Sequence, residues 1–212
     1  MSDVSLFGTS GELLPRDGSA FLVPEFLPHE FADEALTELI TSTPWENPQL
    51  LMFGKQVTEP RSSVWVSDGV TYTYSRVTRH PIPWTPLLND IRKRCQNWTQ
   101  TAFNGVLVNY YRSGLDHLGW HSDNERANGP EPVIASISLG AERRFDFRHN
   151  ETREMVSVQL QHGSLLVMSG RSQDCWMHRV ARTTRVLSPR VNLTFRSVDA
   201  RFEPQFLPSD HQ

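Results

Sequence analysis

Between Gly105 and Arg196 the chain breaks into short apolar or alternating runs separated by turn residues, and that spacing most limits the folds open to it. The runs lie at 106–111, 133–139, 143–147, 155–160, 164–168, 176–180 and 191–196. They are too short for ordinary helices and are rich in Val, Ile, Phe and Tyr, which suit a pleated surface. Seven or eight strands at this spacing predict a mainly β domain of sandwich or jelly-roll type. Two helices are expected ahead of it, packed on one sheet. The first carries Phe31, Ala35, Leu39 and Ile40 on one face and is stopped by Pro44. The second opens at Thr85-Pro86, an N-cap followed by proline at the first helical position, and its stripe is Leu88, Ile91, Cys95, Trp98 and Ala102. Leu50 to Arg61 reads as a hairpin with its tip near Phe53. Val64–Val66 and Val70–Tyr74 read as strands joined by Ser67-Asp68-Gly69, where Asp-Gly is the hairpin signal. Residues 1 to about 20 read as a polar arm and Phe202–Gln212 as a polar tail.

His121-Ser122-Asp123 is the pattern with the most chemistry in it. On an extended strand, residues two apart project to the same side, so the imidazole and the carboxylate can reach one point. A third histidine from a distant strand completes a facial triad, the ligand set of non-haem Fe(II) oxygenases with open coordination positions. His178 fits that place, with Arg190-Val191-Asn192-Leu193-Thr194-Phe195-Arg196 following it. His117, four residues before His121, is a competing ligand. Cys175 is a soft ligand that would favour zinc, while His149 and His162 flank turns and suit loop hydrogen bonds. Arg190, Asn192 and Arg196 are in phase on one strand face. Two inward guanidiniums need anions. Either core carboxylates form structural salt bridges with them, or a dicarboxylate cosubstrate binds.

Composition narrows the rest. At 212 residues the chain is long enough for a sizeable core, and its net charge of −3 means that any nucleic-acid surface is local. Lysine occurs only at Lys55 and Lys93, so the basic side chains are nearly all arginine. Two cysteines, Cys95 and Cys175, give no disulfide framework and suit a reducing compartment. No apolar run reaches signal-peptide or membrane-span length. The expectation is a soluble, cytoplasmic monomer with no membrane partner.

Asn109-Tyr110-Tyr111, His121-x-Asp123, Ser136-Ile137-Ser138-Leu139-Gly140, Phe145-Asp146-Phe147-Arg148-His149, His162-Gly163-Ser164-Leu165-Leu166 and the run from Arg190 to Arg196 together resemble the AlkB family of Fe(II)- and 2-oxoglutarate-dependent dioxygenases. The likeness covers roughly Phe53 to Arg196 and looks most like the branch acting on DNA duplexes. The short connection after His149, where that branch carries a longer loop, argues against a strict duplex preference. The resemblance implies a double-stranded β-helix with an N-terminal extension and nucleotide-recognition lid over about 1–104. The catalytic core would be about 105–198 and the tail 199–212, in a single domain. It implies that His121, Asp123 and His178 hold Fe(II). It also implies that Asn109, Tyr111, Arg190, Asn192 and Arg196 bind 2-oxoglutarate, with Arg190 on the distal carboxylate. Glu125 would read the base, Tyr72 and Tyr74 would line its pocket, and Phe53 would be the wedge that fills the vacated stack. The implied reaction is oxidative removal of N-alkyl groups from bases such as 1-methyladenine and 3-methylcytosine in duplex or single-stranded DNA. It consumes O2 and 2-oxoglutarate and yields succinate, carbon dioxide and formaldehyde. The alternatives are an RNA or protein substrate, or a non-catalytic nucleic-acid-binding module with a structural metal.

Overall fold

The computed structural model describes residues 11–47, 49–52, 55–74, 77–185 and 188–202. Two antiparallel-dominated sheets face each other. The larger has seven strands in the order β1 (Ser19–Val23), β13 (Ser164–Ser169), β10 (Ile134–Gly140), β15 (Arg190–Arg196), β8 (Gly105–Tyr111), β4 (Ser62–Ser67) and β7 (Pro81–Ile82). The smaller has four, in the order β12 (Met155–Leu160), β11 (Arg143–His149), β14 (Trp176–Val180) and β9 (Leu118–His121). Non-sequential neighbours throughout, such as β10 beside β15, make this the expected jelly roll rather than a meander.

Period-two alternation assigns the faces of the large sheet. On β15, Val191, Leu193 and Phe195 enter one apolar cluster together with Val106 and Val108 of β8 and Ala135 and Ile137 of β10. The polar residues of β15 that alternate with these, Arg190, Asn192, Thr194 and Arg196, are buried as well and project towards the smaller sheet. Helices α1 (His29–Ser42) and α2 (Pro86–Thr99) cover the apolar face through Ala32, Ala35, Leu39, Leu88, Ile91 and Cys95. The Thr85 hydroxyl accepts the Leu88 N–H at 3.2 Å, the cap that the Thr-Pro pair announced. Gly105 is required where β8 meets β4, because a Cβ there would lie 2.2 Å from the Trp65 ring.

Several expectations need correction. Helix α2 ends at Thr99, with Gln100 left-handed at φ 53°, so Ala102 lies outside it and Trp98 is an exposed residue. Ser67-Asp68-Gly69 turns the chain but forms no hairpin. The Trp65 indole N–H and the Ser67 hydroxyl both donate to the Val70 carbonyl, and the chain then enters another sheet, where β5 (Tyr72–Tyr74) pairs with β6 (Val77–Arg79). The described part of the expected polar arm, residues 11–20, is ordered and ends in a strand. The Glu12 carboxylate accepts the Leu14 and Ala20 N–H groups, and β1 pairs along β13. The arms of the expected hairpin are β2 (Gln49–Met52) and β3 (Lys55–Thr58), in antiparallel register. Phe53 itself lies outside the described residues. A four-residue helix, α3 (Ser172–Cys175), leads directly into β14. No helix among the described residues is long and apolar enough to cross a membrane.

Candidate active site

His121 and His178 are directly opposed Cα partners on β9 and β14, so sheet register alone brings two imidazoles together, with ring centroids 4.2 Å apart. The Asp123 carboxylate comes up beside them, its Oδ2 3.8 Å from His178 Nε2. One ligand atom from each of the three lies within 4.8 Å of the others, a spacing that a single metal ion can bridge. Asp123 does not share the strand of His121, however. β9 includes Leu118, Gly119 and Trp120 and stops at His121, so the carboxylate arrives on the following loop. The His121 Nδ1–H donates to the Gly119 carbonyl at 2.8 Å, which puts the ring's lone pair on Nε2, the tautomer a metal ligand needs. The His178 ring stacks on Phe145 at 5.2 Å.

Electrostatics favour the ligating protonation states. Burial alone would raise the Asp123 carboxyl, but Arg196, 2.9 Å away, together with His178 and His121 outweighs it and holds the group at about 2. Burial, with His121 adding to it, depresses His178 to about 3, and burial likewise lowers His121. An ionised carboxylate and two neutral imidazoles are what a divalent cation takes up without displacing protons.

A narrow cavity opens in front of this triad, with Arg61, Asn109, Tyr111, Asn192 and Arg196 in its wall. Asn192 is committed to the sheet, its Nδ2 donating to Ser136 Oγ and the Ile137 carbonyl. Arg190 lies behind the cavity wall, its guanidinium 5.1 Å from the Tyr111 ring centroid and bonded to Ser138 Oγ at 2.9 Å. No carboxylate among the described residues pairs with it, and its Nε and Nη1 are buried without hydrogen-bond partners. Burial pushes it down to about 10. Of the two outcomes expected for the arginine pair, Arg196 has the core carboxylate and Arg190 does not. An anionic cosubstrate group reaching past Tyr111 would supply the missing partner.

The residues expected to meet a base are distributed unevenly. The Glu125 Oε2 accepts from the Tyr72 hydroxyl at 2.9 Å, and burial together with Asp123 raises its carboxyl above the usual range. The Tyr72 ring is fully buried and stacked on Trp65 at 4.7 Å, so only its hydroxyl end faces Glu125. The backbone of Tyr74 lies on β5, while its side chain, like Phe53, falls outside what is described. His117 is not part of the triad, its Nδ1 being engaged with the Leu115 carbonyl. His149 and His162 do hold loops, accepting backbone N–H groups from Thr152 and Gly140. Arg61 escaped sequence reading. It is buried, lines the cavity and donates from Nε to Asn109 Oδ1 at 2.8 Å.

The model of the 2OG-Fe(II) oxygenase superfamily matches residues 19–196. The chain is 46% identical over 156 residues to mouse "DNA oxidative demethylase ALKBH2", covering 69% of this chain and 65% of that one. It is 38% identical over 196 residues to mouse "Alpha-ketoglutarate-dependent dioxygenase alkB homolog 3", covering 87% and 68%. The matches thus span about two thirds of these relatives' lengths. Among solved structures, that of OsALKBH1 superposes with a TM-score of 0.60 at 18% identity, covering 87% of this chain and 98% of that one, a likeness of fold.

Proposed function

The chain belongs to the AlkB family within the 2OG-Fe(II) oxygenase superfamily, and from that membership we propose that it oxidatively demethylates N-alkylated bases in DNA. The family's cofactor is Fe(II), with 2-oxoglutarate and O2 as cosubstrates. His121, Asp123 and His178 would hold the iron, and the donor set fits it, since two imidazoles and a carboxylate leave coordination positions for other ligands. Bound there with its cosubstrates, the iron supplies the oxidising power that hydroxylates an N-methyl carbon, with 2-oxoglutarate leaving as succinate and carbon dioxide and the methyl group as formaldehyde.

The observation that carries this reading is a His-Asp-His triad with a buried guanidinium nearby, that of Arg190, which has no carboxylate partner among the described residues. A structural metal site has no use for an uncompensated buried cation, whereas a dicarboxylate that must be oriented does. Arg190 would take the distal carboxylate, and Asn109 and Tyr111 would add hydrogen bonds along its chain. Arg196 fixes Asp123 and stands at the keto-acid end. Glu125, at the edge of the site, would accept a hydrogen bond from the base. The relatives named as DNA demethylases favour DNA over RNA or protein. Incubation with a methylated oligonucleotide, Fe(II) and 2-oxoglutarate should release formaldehyde and succinate in equal amounts. Succinate release that no nucleic acid stimulates would overturn the assignment.

A further inference from the structure

Because β9 ends at His121, Asp123 has no strand neighbour to take up its backbone polar groups. Two buried side chains do so instead. The Asp123 N–H donates to Gln173 Oε1 at 2.9 Å, and Asn128 Nδ2 donates to the Asp123 carbonyl at 3.1 Å. Gln173 is 1% exposed and Asn128 6%, so neither contact competes with bulk water. Gln173 belongs to α3, which runs straight into the strand of His178. The Gln173 bond therefore fixes the loop of one candidate ligand against the element that carries another.

Asn128 makes a second connection. The same Nδ2 donates to Glu125 Oε2 at 3.0 Å, the oxygen that also accepts from the Tyr72 hydroxyl. Facing two acceptors, the amide can only present its nitrogen there, which settles the flip. The segment is itself anchored, with the Asn128 N–H donating to the Glu125 carbonyl and the Asp199 N–H to the Ala127 carbonyl. Two donors converging on Oε2 hold the Glu125 carboxylate in one orientation, and neither occupies Oε1.

We infer that Gln173 and Asn128 are positioning residues that take the place of a strand ladder at Asp123, and that Asn128 also ties this ligand to the acceptor geometry of Glu125. A carboxylate fixed with Oε1 outward accepts hydrogen bonds. That is the orientation a base-reading carboxylate needs, and Asn128 sets it by holding Oε2. This second half rests on the DNA reading above, whereas the metal half stands without it.

The test uses near-isosteric variants, Gln173→Met and Asn128→Asp, with Mn(II) as the probe, titrated in the presence of 2-oxoglutarate by the EPR signal of the free ion. Loss of outer hydrogen bonds of this kind weakens metal sites by about ten- to a hundredfold, and both variants should fall in that range with unchanged circular dichroism. Gln173→Glu, which keeps an oxygen acceptor, should bind Mn(II) close to wild type. Unchanged Mn(II) affinity in both near-isosteres, or a loss in Gln173→Glu as large as in Gln173→Met, would overturn the clamp. In the second arm, kcat/KM is compared on oligonucleotides carrying 1-methyladenine and 1-methylguanine. Gln173→Met should keep the wild-type preference and Asn128→Asp should lose most of it. A preference intact in Asn128→Asp would overturn the link to Glu125. A wild type inert on both oligonucleotides would sink the DNA reading and with it that link, and leave the Mn(II) titration to decide the clamp.

Discussion

Arg190 and Arg196 stand at the two ends of one strand, both on its polar face and both buried, yet only Arg196 has a carboxylate, Asp123 at 2.9 Å. Burial acts against the charge of both. At Arg196 the charge and hydrogen bond of Asp123, with Tyr72 and Glu125 adding to them, overcome it and the guanidinium is raised, while at Arg190 burial prevails and it falls to about 10. Arg196 thus has its counter-charge within the fold, whereas Arg190 has none among the described residues.

Replacing the two with methionine should therefore move stability in opposite directions. Arg190→Met removes a buried charge without a carboxylate and should stabilise the ligand-free protein, within the 1–4 kcal/mol or so seen when buried charge gives way to packed apolar groups. Arg196→Met strands the buried Asp123 carboxylate and should cost about 3–5 kcal/mol. Thermal melts check both. Adding 2-oxoglutarate at about 100 times its Kd should stabilise wild type by about 2.7 kcal/mol. Arg190→Met should lose nearly all of that shift. A preserved shift would assign the distal carboxylate to another residue.

Acid should act on the loop ahead of His121. The Asp116 carboxylate accepts the Arg112 N–H, Nε–H and Nη2–H at 2.9, 2.7 and 2.9 Å. Burial alone would raise it, but these hydrogen bonds outweigh burial and hold it below the usual carboxylate range. A carboxyl lowered on folding contributes stability above its unfolded value, near 3.9, and loses it as pH falls through the folded value. The Arg112 side chain is half exposed, so the contribution is about 1 kcal/mol or less. Urea titrations at pH 7 and pH 3 should show Asp116→Asn less stable than wild type at the higher pH and closer to it at the lower. An equal difference at both would show that the hydrogen bonds work without the charge.

How much of this was legible in the sequence depends on the range over which each residue acts. The alternation in Arg190–Arg196 was readable because the strand obeys a period of two, with Val191, Leu193 and Phe195 under the helices and the polar set opposite. The three triad residues were readable from type and spacing, although Asp123 reaches its place from a loop and not along the strand. Arg61 and Gln173 carry no local signal. Arg61 meets Asn109 across 48 residues and Gln173 meets Asp123 across 50, and only the folded sheets bring them together. The Asp-Gly turn at 68–69 misled because a turn fixes local reversal and not which strand pairs next.

Packing beneath the Tyr72 ring gives a further outcome. A Cβ at position 105 would lie 2.2 and 2.3 Å from the Cη2 and Cζ2 atoms of Trp65, whose ring stacks on Tyr72. Gly105→Ala should thus cost about 1–3 kcal/mol as an overpacked core. The displaced indole should also disturb the Tyr72–Glu125 contact. Unfolding midpoints and tryptophan fluorescence report the two effects, and a variant as stable as wild type would show that the ring moves aside freely.

Tyr72 allows its apolar and polar roles to be separated. Its ring is buried against Trp65, with the Arg196 guanidinium 4.9 Å from its centroid, and its hydroxyl donates to Glu125 Oε2. Tyr72→Phe keeps the ring and deletes one hydrogen bond, leaving Oε2 with the Asn128 donor alone. Losing a bond to a charged acceptor costs about 1.5–3 kcal/mol where the acceptor stays dry, and less here because Glu125 is only half-buried. The melting temperature should therefore fall only slightly, while Glu125 gains freedom to turn. Tyr72→Ala removes the ring as well and should cost about 3–5 kcal/mol, in line with other large aromatic truncations. If Glu125 reads the base, Tyr72→Phe should raise KM for a methylated oligonucleotide more than it lowers kcat, with Mn(II) and 2-oxoglutarate affinity intact. Equal falls in kcat and in metal affinity would instead place the Tyr72 hydroxyl in service of Asp123 and the triad.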